Sequence, residues 1–279
     1  MKRMCQRYAL IAGALAVLAA GCGGKKALPQ RDAQSYFDEA RGELEQKRCL
    51  KAAELFQRVV INFPGSVLAD DAQFGVGEAK LCAKDYTEAV FEYQRLIDEY
   101  PNSPLAAEGR YKIAVCYAEQ SGGIYLDQTE TRKAIAEYQR FIDDYPDSRQ
   151  VPEARKEMLK LKSKLAAKDA RIAEDYLKWG YPESARIYYQ RILDAYGDTP
   201  WAEDARLGLA VVKARKGEID AALTDLRQLL SDGVSATTRK RAQEQIEEIE
   251  KKRETSRKDF GPKPGATGRP PGGGVRPGS

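Results

Sequence analysis

The chain has no histidine among its 279 residues. That removes the side chain most often used as a general base, the usual partner of Ser and Cys nucleophiles, and the commonest metal ligand. Cysteine is scarce: Cys5, Cys22, Cys49, Cys82 and Cys116, with no two spaced as C-x-x-C. Such spacing suggests neither a zinc site nor a dithiol redox motif. No pair of carboxylates is singled out for acid–base work, so no enzyme is expected, and no cofactor or metal. The one long apolar run, Tyr8 to Ala20, is shorter than the roughly 20 residues of a membrane-spanning helix.

That run has the layout of an export signal. Lys2, Arg3 and Arg7 form a positive n-region, Tyr8–Ala20 the apolar h-region, and Ala19-Ala20-Gly21 put small residues before Cys22. Small residues followed by Cys resemble the bacterial lipoprotein signal, with the Cys22 thiol as lipid acceptor. The Leu usual in that pattern stands one place early here, at Leu18 rather than at Ala19. The expected organisation is a signal peptide over 1–21, a lipid-anchored tether over 22–32, a helical-repeat domain over 33–254 and a tail over 255–279. Removing the signal also changes the charge. Of 46 Lys+Arg and 42 Asp+Glu, three bases and no acid fall in the first 21 residues, leaving 43 against 42. A balance so close to neutral gives no reason to invoke nucleic acid.

What the chain does have is a repeat. Ala52–Ser66 (AAELFQRVVINFPGS), Ala89–Ser103 (AVFEYQRLIDEYPNS), Ala134–Ser148 (AIAEYQRFIDDYPDS) and Ala185–Thr199 (ARIYYQRILDAYGDT) read almost as copies, and a weaker fifth starts at Ala222 (ALTDLRQLL). Their starts are 37, 45, 51 and 37 residues apart, and self-similarity at such periods signals a solenoid. Ala89, Tyr93, Leu96, Ile97 and Tyr100 form one stripe of a 3.6-residue period. Pro64, Pro101 and Pro146 then stop the helix, because proline disfavours helical geometry in the residue before it.

A helix also precedes each copy, over Ala72–Ala83, Gly109–Gln120, Asp169–Trp179 and Asp204–Arg215. A small residue recurs in it at Gly77, Ala114, Ala173 and Ala210, where two backbones can approach. The expected fold class is therefore all-α, a tetratricopeptide-like helical-repeat solenoid of about five helix pairs. The longer steps hold extra residues in the loop Ser121–Glu130 and in extra helix around Pro152–Lys164, which can run into Ala166–Trp179 as one helix. From Thr255 on, Gly, Pro and basic residues dominate, with almost nothing apolar to bury, so a disordered tail is expected.

Four features together resemble a known family. They are the lipoprotein cysteine; the helix ends Phe63-Pro64-Gly65-Ser66, Tyr100-Pro101-Asn102-Ser103 and Tyr145-Pro146-Asp147-Ser148; the loop Asp127-Gln128-Thr129 leading through Arg132 into Ala134; and Lys164-Leu165-Ala166 with Ile172 to Gly180 (IAEDYLKWG). From Cys22 to about Leu230 the chain is similar to the BamD family, lipoproteins of the outer-membrane β-barrel assembly machine. The resemblance implies a non-enzymatic scaffold on the periplasmic face of the outer membrane, held there through lipid on Cys22. It implies as partners a BamA-like barrel-forming subunit, other assembly-machine subunits, and unfolded outer-membrane proteins recognised by their C-terminal segments. Nucleic acid is not among them. The Pro/Gly-rich tail is an addition to the family pattern and inherits no role.

The residues suggest where a peptide would bind. Stacked helix pairs expose the first helix of each pair along one surface. There the sequence places Phe37, Phe74 and Tyr111, with Leu44 and Leu81 two turns on, and Arg41 between Phe37 and Leu44 to meet a terminal carboxylate. The competing reading is that these rings simply pack repeat against repeat. Cys49 is expected to be a small buried hydrophobe; a bridge to Cys82, at the same end of the next repeat, is the alternative in an oxidising compartment. Trp201 is expected to staple the start of the fifth repeat. Two other functions compete: a pilotin of a pilus or secretion ring, which calls for a regular 34-residue period without an insert, and a Tol-Pal division coordinator, which calls for an N-terminal coiled coil.

Overall fold

Residues 31–260 are described by the computed structural model, with side chains as far as Thr255. The signal 1–21, Cys22, the tether up to Gln30 and the tail from Gly261 lie outside the described residues. Among the described residues the chain is all helix: α1 (Ala33–Glu45), α2 (Cys49–Asn62), α3 (Ala69–Cys82), α4 (Tyr86–Glu99), α5 (Ala106–Glu119), α6 (Thr129–Asp144), α7 (Val151–Lys178), α8 (Pro182–Tyr196), α9 (Trp201–Arg215), α10 (Ile219–Ser231) and α11 (Ala236–Phe260). These are five helix pairs of the tetratricopeptide kind followed by one further helix. They fall into two compact units, one ending at Lys84 and the other beginning at Asp85. The second repeat is divided between them.

The first unit holds α1–α3. Asp32 caps α1, its carboxylate accepting the Ser35 amide at 2.8 Å. The 3.6-residue period of α2 buries Ala52, Ala53, Leu55, Phe56, Val59 and Val60 on one face, and Ala40, Ala72, Val76 and Ala79 meet that face from α1 and α3. Phe63 ends α2 because Pro64 follows.

The first helix of a pair ends in the same turn four times, at Lys47, Lys84, Gly180 and Gly217, all at positive φ. At Lys47 the turn is a full Schellman motif: its amide donates to Leu44 O and the Arg48 amide to Glu43 O. Gly180 and Gly217 repeat the motif through Tyr181 to Tyr176 O and Glu218 to Lys213 O. Glycine adopts this backbone without cost, whereas Lys47 and Lys84 at φ 60° carry a Cβ in the left-handed region.

The second unit is built on α7, a single helix of 28 residues, as the sequence allowed. Its first half packs Ala154 and Met158 against Ala114, Tyr138, Phe141 and Ile142 of α5 and α6. Its second half packs Ala166, Ala170 and Ala173 against Ala185, Tyr189, Ile192, Ala205 and Val212 of α8 and α9. Between them Asp169 receives Arg191 from α8, Nε at 2.6 Å, and this hydrogen bond raises the Arg191 pKa further. A third cluster joins α9, α10 and α11 through Leu207, Leu226, Leu229, Ala242 and Ile249.

Several expectations need correction. The small residues Gly77, Ala114, Ala173 and Ala210 are buried, and in α3 and α9 glycines two residues earlier, Gly75 and Gly208, face rings of the preceding helix. A Cβ on Gly75 would stand 2.7 Å from the Phe56 ring, and one on Gly208 would come closer still to Tyr189. In both repeats the aromatic of one helix fills the space left by glycine on the next. Helix α11 runs to Phe260, past Thr255 where the tail was expected to begin. Thr255 to Phe260 contain no helix breaker; Gly261-Pro262 is the first. Cys49 is half-buried rather than fully buried, and it is bonded to Cys82. The α1–α2 turn sets the start of α2 beside the end of α3, with the two Cα atoms 5.7 Å apart, within bonding range. Cys116 is a buried thiol outside this bridge, and Trp201 packs at the edge of the α7–α9 core.

Candidate functional site

Five of the six peptide-groove candidates lie on two helices of the first unit. Phe37, Arg41 and Leu44 follow one another on one face of α1, and Phe74 and Leu81 lie two turns apart on α3. Phe37, Leu44, Phe74 and Leu81 are half-buried, and Arg41 is exposed, without an ion pair among the described residues. Part of this apolar surface is already in use. The Phe37 ring meets Phe56 edge-on at 5.4 Å, and Phe37 and Leu44 both rest on the core of the unit. Tyr111 stands on α5 in the second unit, its ring 5.9 Å from Tyr138 and 5.5 Å from Phe141. Burial pushes its phenol pKa up. Phe37 and Tyr111 thus each give one side to their own helix pair and keep only the remainder for a ligand.

Charge is concentrated beside the α1–α2 turn. The Glu43 carboxylate accepts Lys51 at 2.8 Å and Arg48 at 3.2 Å, and the Lys51 hydrogen bond holds it below the usual carboxylate range. Leu50, 71% exposed, sits next to this pair and to the Cys49–Cys82 bridge.

In the second unit, two features that carried the family resemblance turn out to be one physical device. The inserted loop 121–128 is wired from within by Gln128, only 2% exposed, whose amide donates to Gly123 O at 2.8 Å and Leu126 O at 2.9 Å. Gln128 also accepts the Thr131 hydroxyl at 2.9 Å. Asp127 accepts Thr129, and that hydrogen bonding lowers its pKa. From α7, Lys164 reaches Ser121 Oγ at 2.6 Å and Lys168 reaches Leu126 O at 2.9 Å. Burial lowers the Lys164 pKa. The long helix therefore clamps the loop, and the loop presents Tyr125 (75% exposed) and Leu126 (61%) to solvent. The sequence marks the loop by its length and Gln128 by its neighbours; the clamp joins residues more than 40 apart and carries no local signal.

Comparison with known proteins fits this construction. The family model described as "Outer membrane lipoprotein", YfiO, matches residues 29–230, which takes in both units and the clamped loop. The chain belongs to that family. Within it, the chain is similar to the outer membrane protein assembly factor BamD of Caulobacter vibrioides, 24% identical over 196 residues. That alignment covers 68% of this chain and 64% of the relative, so the chain spans a little under two thirds of the relative's length. A BamD-type outer-membrane lipoprotein is the general role this family supports.

Solved structures with a similar chain path include a tetratricopeptide repeat protein from Parabacteroides merdae, at 14% identity and TM-score 0.34, covering 81% of this chain and 77% of that one. The TPR2AB domain of yeast Sti1 is 13% identical with TM-score 0.41, covering 72% and 77%. At these scores neither likeness bears on function, and the helix pairs themselves define the fold as tetratricopeptide-like.

Proposed function

We propose that the chain is a non-enzymatic scaffold of the β-barrel assembly machine, anchored through lipid on Cys22 at the periplasmic face of the outer membrane. It binds a BamA-like barrel-forming subunit and other subunits of the machine, and it receives the C-terminal segments of unfolded outer-membrane proteins. The family match over 29–230 is the observation that carries this reading. The clamped loop supports it, because it lies within the matched residues and is more distinctive than repeat helices alone, which serve many functions. In the first unit Phe37, Leu44, Phe74 and Leu81 offer partly exposed apolar surface for alternate side chains of an extended peptide, and Arg41 is an exposed cation for its terminal carboxylate; in the second unit Tyr111 offers a partly exposed ring of its own.

The peptide part is tested with a synthetic segment of alternating apolar residues ending in a phenylalanine carboxylate. Phe74→Ala and Tyr111→Ala should each weaken binding about tenfold, the cost of truncating one aromatic anchor, with helix content by circular dichroism unchanged. Equal binding by folded variants would remove the groove assignment. Cys22→Ala should leave the protein folded and shift it out of the outer-membrane fraction; its retention there would remove the anchor assignment.

A further inference from the structure

The turn between α7 and α8 carries a group of rings that the core uses only in part. Trp179 is 66% exposed, Tyr181 60% and Ile187 57%. Tyr176 holds the group in register: its centroid lies 5.7 Å from Trp179 and 6.5 Å from Tyr181, both edge-on, and 5.6 Å from the stacked Tyr188. The turn is fixed by Gly180 at φ 83°, with the Tyr181 amide bonded to Tyr176 O at 2.8 Å. Single exposed apolar side chains are ordinary on any surface, but a contiguous, rigid aromatic patch marks a contact surface.

Ion pairs locate the end of α11 relative to this patch. Lys216, at the end of α9, lies 2.8 Å from Glu183 at the start of α8. Arg253 of α11 lies 2.8 Å from Asp220 at the start of α10. The ends of α7, α9 and α11 are therefore at the same end of the unit, and from Arg253 the helix continues for about 10 Å to Phe260. The sequence that leaves this point, 261–279, contains five prolines, Lys263, Arg269 and Arg276, no acidic residue and no aromatic residue. Proline-rich segments dock in the polyproline II conformation on aromatic-lined surfaces, at low entropic cost, and arginine stacks on rings. Packed helices lie about 8–10 Å apart, so crossing from α11 over α9 to α7 takes about 20 Å. With the overhang of α11 the gap is about 25 Å, which eight residues cover at about 3.1 Å each in polyproline II. An extended connection of that length would bring Arg269-Pro270-Pro271 to the rings.

We propose that the Trp179–Tyr181 surface, held by Tyr176, is the docking site for the chain's own segment Arg269–Pro271. The prolines lie on the Trp179 and Tyr181 faces, and the linker from Phe260 makes the contact intramolecular, at an effective concentration of order millimolar.

The chain has two tryptophans, so Trp201→Phe leaves Trp179 as the only reporter in the mature protein. Covering one face of a ring now 66% exposed roughly halves its access. Ending the chain after Phe260 should therefore raise the acrylamide quenching constant of Trp179 about twofold. Adding a synthetic 261–279 peptide should reverse the rise saturably, and replacing Arg269, Pro270 and Pro271 by Ala in the full chain should reproduce the truncation. Identical quenching in the full and shortened chains would overturn the proposal. Protection that disappears on dilution would overturn it too, by assigning the patch to the tail of a second copy. If Trp201→Phe does not fold, the Trp179 indole N–H resonance of the otherwise native chain is followed instead, and a resonance unmoved by truncation overturns the proposal equally.

Discussion

Replacing Cys49 and Cys82 together by Ser should remove most of the margin of stability of the first unit. The bridge ties positions 33 residues apart. Opening a loop of that length returns about 12.5 cal/mol/K of chain entropy to the unfolded state, or about 3.7 kcal/mol at 25 °C. The unit comprises only three described helices, and even whole domains are stable by only about 5–15 kcal/mol. Hydrogen exchange is the suitable assay, because it resolves α1–α3 from the second unit. In the double variant the slowest amides of Ala52–Val60 should exchange roughly 500-fold faster, which is 3.7 kcal/mol converted at about 1.4 kcal/mol per tenfold. Amides of α8–α10, which the bridge does not touch, should keep their rates. A change below about tenfold in α2 would refute the reasoning, since the bridge would then close no entropy-rich loop. So would labelling of Cys49 or Cys82 in the native, unreduced protein.

Three further substitutions probe the local physics. Lys47→Gly and Lys84→Gly relieve a Cβ in the left-handed region and should each stabilise by about 0.5–1 kcal/mol in urea titration; a loss would mean that the turns are not left-handed. Gly208→Ala gains about 1 kcal/mol of helix propensity but presses a methyl into the Tyr189 ring, at a cost of about 1–3 kcal/mol. Net destabilisation of about 1 kcal/mol is expected, and stabilisation would contradict the ring-on-glycine packing. Gln128→Ala leaves the Gly123 carbonyl without its donor and should cost about 2 kcal/mol. Cleavage by limited proteolysis should then appear within 122–126, and an unchanged cleavage pattern would refute the wiring of the loop.

The fold was legible wherever one periodic signal met one stop signal. The stripes of α2, α4, α6 and α8 and the prolines closing the first three placed helices near their observed positions, and the extra residues after Pro152 were correctly read as helix continuing into Ala166. Legibility failed where the deciding partner lies far along the chain. The Cys49–Cys82 bridge depends on a Cα separation that spacing alone does not give. Gly75 and Gly208 matter because of rings on the preceding helix, which the repeat pattern around Gly77 and Ala210 does not reveal. Helix α11 is strongly charged, with Ala242 and Ile249 its main buried apolar residues, and it offered little period to read. Trp179 and Tyr181 stand exposed at the α7–α8 turn, and their residue type alone carries no signal of that exposure.

The family resemblance drew its strength from the loop and from the long helix separately. Lys164, Lys168 and Gln128 connect the two, so loosening either side releases the other. The rings proposed for peptide capture are less separable. Phe37 and Tyr111 pack within their own helix pairs, so any variant there has to be read beside a measure of folding.

The central claim is membership of a working assembly machine, and the direct test is gentle detergent extraction of the outer membrane followed by affinity capture on a tagged full-length copy and mass spectrometry. Stoichiometric recovery of a barrel protein that carries soluble periplasmic domains is the predicted result. Recovery of pilus, secretion-ring or Tol-Pal components in its place would contradict the claim.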